Sequence, residues 1–171
     1  ESKIKSANFS VHCAFYDINL NDIINSLAKK SKTIDVKLVL DNLTYKGRVK
    51  GNGIILNNGK NLMHNKFCVI DDAVVITGSF NPTINDNIYN NNNVVVFYSK
   101  ILARNYEDEF DELWHGKFGK GGEVNTPILY INKMRVENYF CPEDCSLELS
   151  STINKNSGLY KIIDLIRNSK E

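Results

Sequence analysis

The chain has 171 residues, 42% of them hydrophobic and 24% charged, proportions of a globular domain with a core of its own and not of a disordered chain. No apolar run approaches the roughly 20 residues that span a bilayer, which excludes a transmembrane helix in this sequence. The net charge of +1 hides a division: residues 1–60 carry ten Lys/Arg against five Asp/Glu, or +5, and residues 61–171 carry eleven against fifteen, or −4. A basic first third points towards a polyanionic partner, although an unevenly charged solvated surface explains it equally well. No signal segment opens the chain at Glu1, and the compartment stays unassigned.

Taken in chain order, residues 8–16 read as a buried strand. Residues 20–31 place Leu20, Ile23, Ile24 and Leu27 on one helical face, and residues 36–40 form a second strand. Strand, helix and strand with short connections make a βαβ unit, which predicts a parallel pair and an α/β fold with a mixed β-sheet flanked by helices. Residues 43–61 are rich in glycine and asparagine and read as loop or short hairpin. There Lys46, Arg48 and Lys50 alternate, so an extended backbone would point all three the same way. Strands follow at 67–70, 73–77 and 94–98. Ser99 is placed to cap a helix running to about Trp114, with Ile101, Leu102, Tyr106, Phe110 and Leu113 as its apolar stripe. After a strand near 128–131, residues 135–158 read as irregular and 159–168 as a short amphipathic helix. Cys13 and Cys68 fall in apolar runs and read as small core residues. Cys141 and Cys145 lack a second Cys/His pair for a zinc site, and a local disulfide and two free thiols are both open.

The chemistry concentrates in His64-Asn65-Lys66-Phe67-Cys68-Val69-Ile70-Asp71, followed after six residues by Gly78-Ser79-Phe80-Asn81. Residues two apart on a strand share a face, so His64 and Lys66 project together, as do Ser79 and Asn81. Neighbouring strands would gather an imidazole, an ammonium, a hydroxyl and a carboxamide. Such a set offers one nucleophile or acid/base, one cation and two neutral donors, suited to a phosphate gaining negative charge. It lacks the carboxylates of a magnesium or manganese site, so metal-free chemistry without a cofactor is expected. A histidine satisfied within the core is the competing reading of His64.

The spacing H-x-K-x(4)-D, then x(6), then G-S-x-N resembles the phospholipase D superfamily. The opening β-α-β from Asn8 to Asp41, the Leu62-Met63 pair and the helix over 101–114 resemble it as well. This resemblance implies that His64 attacks phosphorus to give a phosphohistidine, with Lys66, Ser79 and Asn81 holding the phosphoryl oxygens. Asp71 matches the motif's aspartate, usually an orienting residue. Many members carry a downstream acid that hydrogen-bonds the histidine ring. Asn92 stands there, with Asn93 beside it as a second supporting residue.

The resemblance also implies two motifs per active site, one histidine attacking and the other protonating the leaving oxygen. This sequence has one motif. Residues 1–134 are therefore expected to be one catalytic repeat and 135–171 a linker with the start of a second; a one-motif homodimer is the competing arrangement. Nucleic acid is the expected substrate, with Lys46, Arg48, Lys50 and Lys60 as candidate backbone contacts. A phospholipid phosphodiesterase or phosphatidyltransferase and an inactive phosphate-binding scaffold are the alternatives.

Overall fold

The structure, a computed structural model, describes residues 1–49, 53–57 and 61–118, and beyond them the backbone of strands at 130–131, 135–138 and 151–152. Lys50, Lys60, Cys141, Cys145 and the 159–168 segment lie outside the described residues. In chain order the elements are α1 (Ser2–Ser6), β1 (Ser10–Phe15), α2 (Asn21–Lys30), β2 (Asp35–Asp41), β3 (Ile54–Asn57), β4 (Lys66–Ile70), β5 (Val74–Gly78), α3 (Ile84–Ile88), β6 (Val94–Tyr98), α4 (Lys100–Trp114), β7 (Tyr130–Ile131), β8 (Arg135–Asn138) and β9 (Ser151–Thr152).

Seven strands form one sheet in the order β3-β2-β1-β4-β5-β6-β8, and β7 pairs with β9. β1, β2 and β3 run parallel and the other junctions of the large sheet are antiparallel, a mixed sheet flanked by helices. Alternation along the strands sorts the core into two faces. Val11, Cys13, Phe15, Leu38, Leu40, Cys68 and Ile70 pack with Ile4 of α1 and Leu27 of α2. Ala14, Val39, Phe67, Val69 and Val75 pack with Ala103, Phe110 and Leu113 of α4. The Ser99 hydroxyl caps α4 by accepting from the Leu102 N–H at 3.2 Å.

Four local features depart from the sequence pattern. Residues 54–57, read as part of a loop or short hairpin, form a strand parallel to β2. Residues 135–138, read as irregular, run antiparallel to β6. α1 and α3 were not anticipated, because five residues are too short to show a helical period. Cys13 and Cys68 are core residues, but they are also joined: they face each other across β1 and β4 and form a disulfide. Composition cannot reveal that pairing, which depends on which strand lies beside β1.

Register sets where chemistry can occur. Phe15 lies opposite Lys66, Phe67 opposite Thr77 and Gly78 opposite Val94. The carboxyl ends of β1, β2, β3 and β5 therefore meet the amino ends of β4 and β6 at one edge of the sheet. Loops at the carboxyl ends of parallel strands are the usual ligand site of an α/β sheet. The other edge carries the β4–β5 turn, where Asp71 and Asp72 take φ of 53° and 50° and the Ala73 N–H donates to Ile70 O at 3.1 Å. Positive φ at both central positions is the hairpin turn whose twist matches its strands.

Candidate active site

The segment entering β4 is tied down before it reaches His64. Asp41, wholly buried at the end of β2, accepts from the Met63 N–H at 2.8 Å, the Leu43 N–H at 2.9 Å and the Asn57 amide at 3.2 Å. On the other side the Tyr16 N–H donates to Asn65 O at 2.9 Å. Between these anchors the His64 side chain stands exposed, its ring edge-to-face with Tyr16 at 4.7 Å between centroids. The Lys66 ammonium donates to His64 O at 2.9 Å and lies 5.4 Å from the Tyr16 ring centroid. Burial pushes the Lys66 amine below its ordinary pKa, with the Asp86 carboxylate acting against that shift.

Ser79 and Asn81 follow β5 and are held from two directions. The Ser79 hydroxyl donates to Asn92 Oδ1 at 2.9 Å and accepts from the Asn93 N–H at 3.0 Å, while the Ser79 N–H reaches Asn93 Oδ1 at 3.1 Å. So close an approach needs Gly78: at its φ of 148° a Cβ would fall 2.2 Å from Asn93 O. Asp86, on α3, accepts from both the Asn81 N–H (2.7 Å) and the Asn81 side-chain amide (2.9 Å), and its other oxygen accepts from the Asn90 amide at 2.8 Å. Burial raises the Asp86 pKa, but these bonds and Lys66 outweigh it and the carboxyl titrates below its ordinary range. Two buried polar atoms here have no hydrogen-bond partner, Asn81 Oδ1 and Asn92 Nδ2.

The structure thus gathers His64, Lys66, Ser79, Asn81, Asn92 and Asn93 at one sheet edge. It places Asp71 at the other, where its carboxylate accepts from the backbone N–H groups of Asn8, Phe9 and Ser10 at 2.7–3.1 Å. Asn92 spends its carbonyl on Ser79 and not on the imidazole. Lys46 and Arg48 are exposed on the segment after β2, and Gly47 at φ 69° interrupts the extended backbone that would align them. Among the described residues no group of three or more His, Cys, Asp or Glu is arranged to hold a metal ion.

Three residues of this edge escaped the sequence reading: Tyr16, Asp41 and Asp86. Asp86 did leave a trace. Thr83-Ile84-Asn85-Asp86 has the spacing of a capping box, and the Thr83 hydroxyl accepts from the Asp86 N–H at 3.1 Å. The Asp86 carboxylate, however, reaches past Thr83 to Asn81.

An exposed imidazole beside a lysine, with hydroxyl and amide groups, closes one edge of a mixed α/β sheet. A family model described as "Cardiolipin synthase, PLD-like domain" matches residues 1–114. The crystal structure of a phospholipase D family member, Nuc from Salmonella typhimurium, superposes with a TM-score of 0.60 at 30% identity, covering 67% of this chain and 84% of that one. NucT from Helicobacter pylori shares the fold, with a TM-score of 0.58 at 21% identity over 67% of this chain and 84% of that one. Two mitochondrial cardiolipin hydrolases are also similar: that of Xenopus tropicalis, 28% identical over 92 residues (49% of this chain, 44% of that protein), and that of Chlamydomonas reinhardtii, 30% identical over 114 (60% and 49%). The chain spans less than half the length of these two relatives. It belongs to the phospholipase D superfamily, a family of phosphodiesterases.

Proposed function

We propose that the chain is one catalytic repeat of a metal-independent phosphodiesterase working through a phosphohistidine on His64. The observation that carries this is the exposed His64 ring held over Tyr16, with the Lys66 ammonium bonded to the same residue's carbonyl. In the first step a neutral imidazole nitrogen attacks phosphorus and the P–O bond to the leaving group breaks. A second motif's histidine protonates the departing oxygen, then activates the water that cleaves the P–N bond. Lys66 and the amides of the Ser79–Asn81 edge balance the charge growing on the phosphoryl oxygens. The second motif comes from a following repeat, whose start would lie in 135–171, or from a homodimer partner.

Nucleic acid is the proposed substrate, because Lys46 and Arg48 on the segment after β2 offer exposed cations to a phosphate backbone. A second reading, a phospholipid, is favoured by the names of the relatives and by the exposed apolar Leu62, Ile84, Ile88 and Tyr89 in the segments flanking the motif. Incubation with labelled single-stranded DNA, RNA and cardiolipin vesicles in EDTA separates the readings. Cleavage of nucleic acid unaffected by EDTA is expected; release of phosphatidic acid instead would move the substrate to lipid. Loss of all turnover in EDTA, restored by magnesium, would remove the phosphohistidine route.

A further inference from the structure

We propose that Asp86 is a positioning residue of this site, setting which face Asn81 turns to the phosphate and joining the two loops that hold the phosphate ligands. The inference rests on the phosphodiesterase reading of the same site. It starts from an asymmetry in how Asn81 is bonded. Its backbone N–H and its side-chain NH2 both donate to one carboxylate oxygen of Asp86, while its Oδ1 is buried without a partner. A carboxylate accepts and cannot donate, so it holds the amide in one orientation: turned over, Oδ1 would face Asp86 oxygen to oxygen. The second Nδ2 proton stays free for a phosphoryl oxygen. Without Asp86 both orientations are open, and in one of them Asn81 presents an acceptor to an anion.

Asp86 has a second task. Its other oxygen takes the Asn90 amide, and the run from Asn90 continues to Asn92 and Asn93, which clasp Ser79. One carboxylate therefore spans the 79–81 loop and the 90–93 loop. Asp86 is buried at 8% exposure, and with Thr83 capping its N–H, the five-residue α3 has little freedom to withdraw it. The same carboxylate lies close enough to Lys66 to favour its charged form; the other groups around that amine are His64 and Tyr16, with Glu1 and Lys3 across the neighbouring 330 Å³ cavity.

The test is Asp86→Asn in the full chain, assayed in whichever assembly turns over phosphodiester. The change should lower kcat about 10-fold with KM little altered, as losses of orienting partners do. It should also move the alkaline limb of kcat/KM to lower pH, because removing the anion destabilises the Lys66 ammonium. Combined with Asn81→Ala, it should cost clearly less than the product of the two single losses. Additive losses with an unmoved alkaline limb would overturn the assignment, since a merely structural carboxylate behaves that way. If Asp86→Asn does not fold, nitrogen NMR of the parent chain decides instead. The Asn81 side-chain amide should shift as Asp86 protonates below its ordinary value of 3.8, and indifference to that titration would overturn the proposal. Continued hydrolysis by His64→Asn would defeat the phosphohistidine reading of this site, whereas the NMR titration judges Asp86 separately.

Discussion

The two ends of β4 are built on opposite principles. His64 and Asp71 lie on either side of a five-residue strand, seven residues apart, which sets them at most about 23 Å apart at roughly 3.3 Å per residue. At the Asp71 end the carboxylate collects the N–H groups of three successive residues, and the Asp71 N–H returns a bond to Ser10 O at 3.1 Å. At the His64 end the ring is held by an aromatic edge, and Asn81 Oδ1 and Asn92 Nδ2 are buried without partners. Buried polar groups are almost always satisfied, and exceptions call for a reason. The comparison teaches that one motif has two kinds of end: at one the polar groups are satisfied within the fold, and at the other an exposed ring stands beside amide atoms left unpaired.

The hardest blow to that distinction would come from His64. Its replacement by Asn should lower turnover at least about 10³-fold, as loss of a nucleophile does. The melting temperature should stay near the parent's, because an exposed side chain ahead of a strand contributes little packing. Unfolding on His64→Asn would make both ends structural and erase the contrast.

Next in size is assembly. Among the described residues this edge holds one histidine, the proposed nucleophile, and general acid catalysis contributes about 10²–10⁴-fold. The isolated chain should therefore be slower by that order than the chain supplied with the proposed second repeat. As a homodimer, its activity should instead rise with the square of concentration below the dimer dissociation constant. A sedimenting monomer with full activity at every dilution would show that one open end is enough.

How much of this contrast could be read in advance differs by residue. The parallel pair, the Ser99 cap and the α4 stripe from Leu102 to Leu113 were legible because their patterns are local, whereas Ile101, assigned to that stripe, stands exposed. His64, Lys66, Ser79 and Asn81 were legible as a group because strand alternation and a fixed gap make them converge, though not what they bond to. Asp86 was hidden because its partner Asn81 lies outside the capping pattern that marks it. Tyr16 was hidden because its contacts with His64 and Lys66 exist only once β1 lies beside β4. The Cys13–Cys68 bond needed the same adjacency. Local patterns show in a sequence; strand order does not.

At the tied end, Asp71→Ala should leave activity per folded molecule within about twofold while lowering stability by about 2 kcal/mol, since three backbone N–H groups lose a charged acceptor. Urea melts and initial rates on the same samples give both quantities. Burial opposes ionisation of Asp71, but the bonds from Ser10, Asn8 and Phe9 hold its pKa below the ordinary 3.8. The stability it supplies is therefore present above that value and fades as pH falls through the lowered one. A catalytic loss larger than the stability loss would assign Asp71 to the site.

The smallest effect belongs to His12, on β1 opposite Val69 and so towards the tied end. Its Nδ1 meets Glu107 of α4 at 2.8 Å, its Nε2 meets Asp35 of β2 at 3.2 Å, and its ring stacks on Phe110 at 5.0 Å. Lys37 pairs with Asp35 at 2.7 Å and opposes the imidazolium charge. Burial pushes His12 down, but the two carboxylates prevail and its pKa lies above the ordinary 6.5. A raised pKa means that folding favours the protonated ring. The contribution is complete below about 6.5 and is lost as pH rises through the folded value. Stability should therefore decline modestly from about pH 6 to about pH 8, and His12→Phe, which keeps the stack on Phe110, should flatten that slope. Activity normalised to folded protein should not follow it, because His12 lies outside the His64 edge. A slope that survives His12→Phe would place the titrating group elsewhere, and a parallel fall in normalised activity would show that the two ends are coupled.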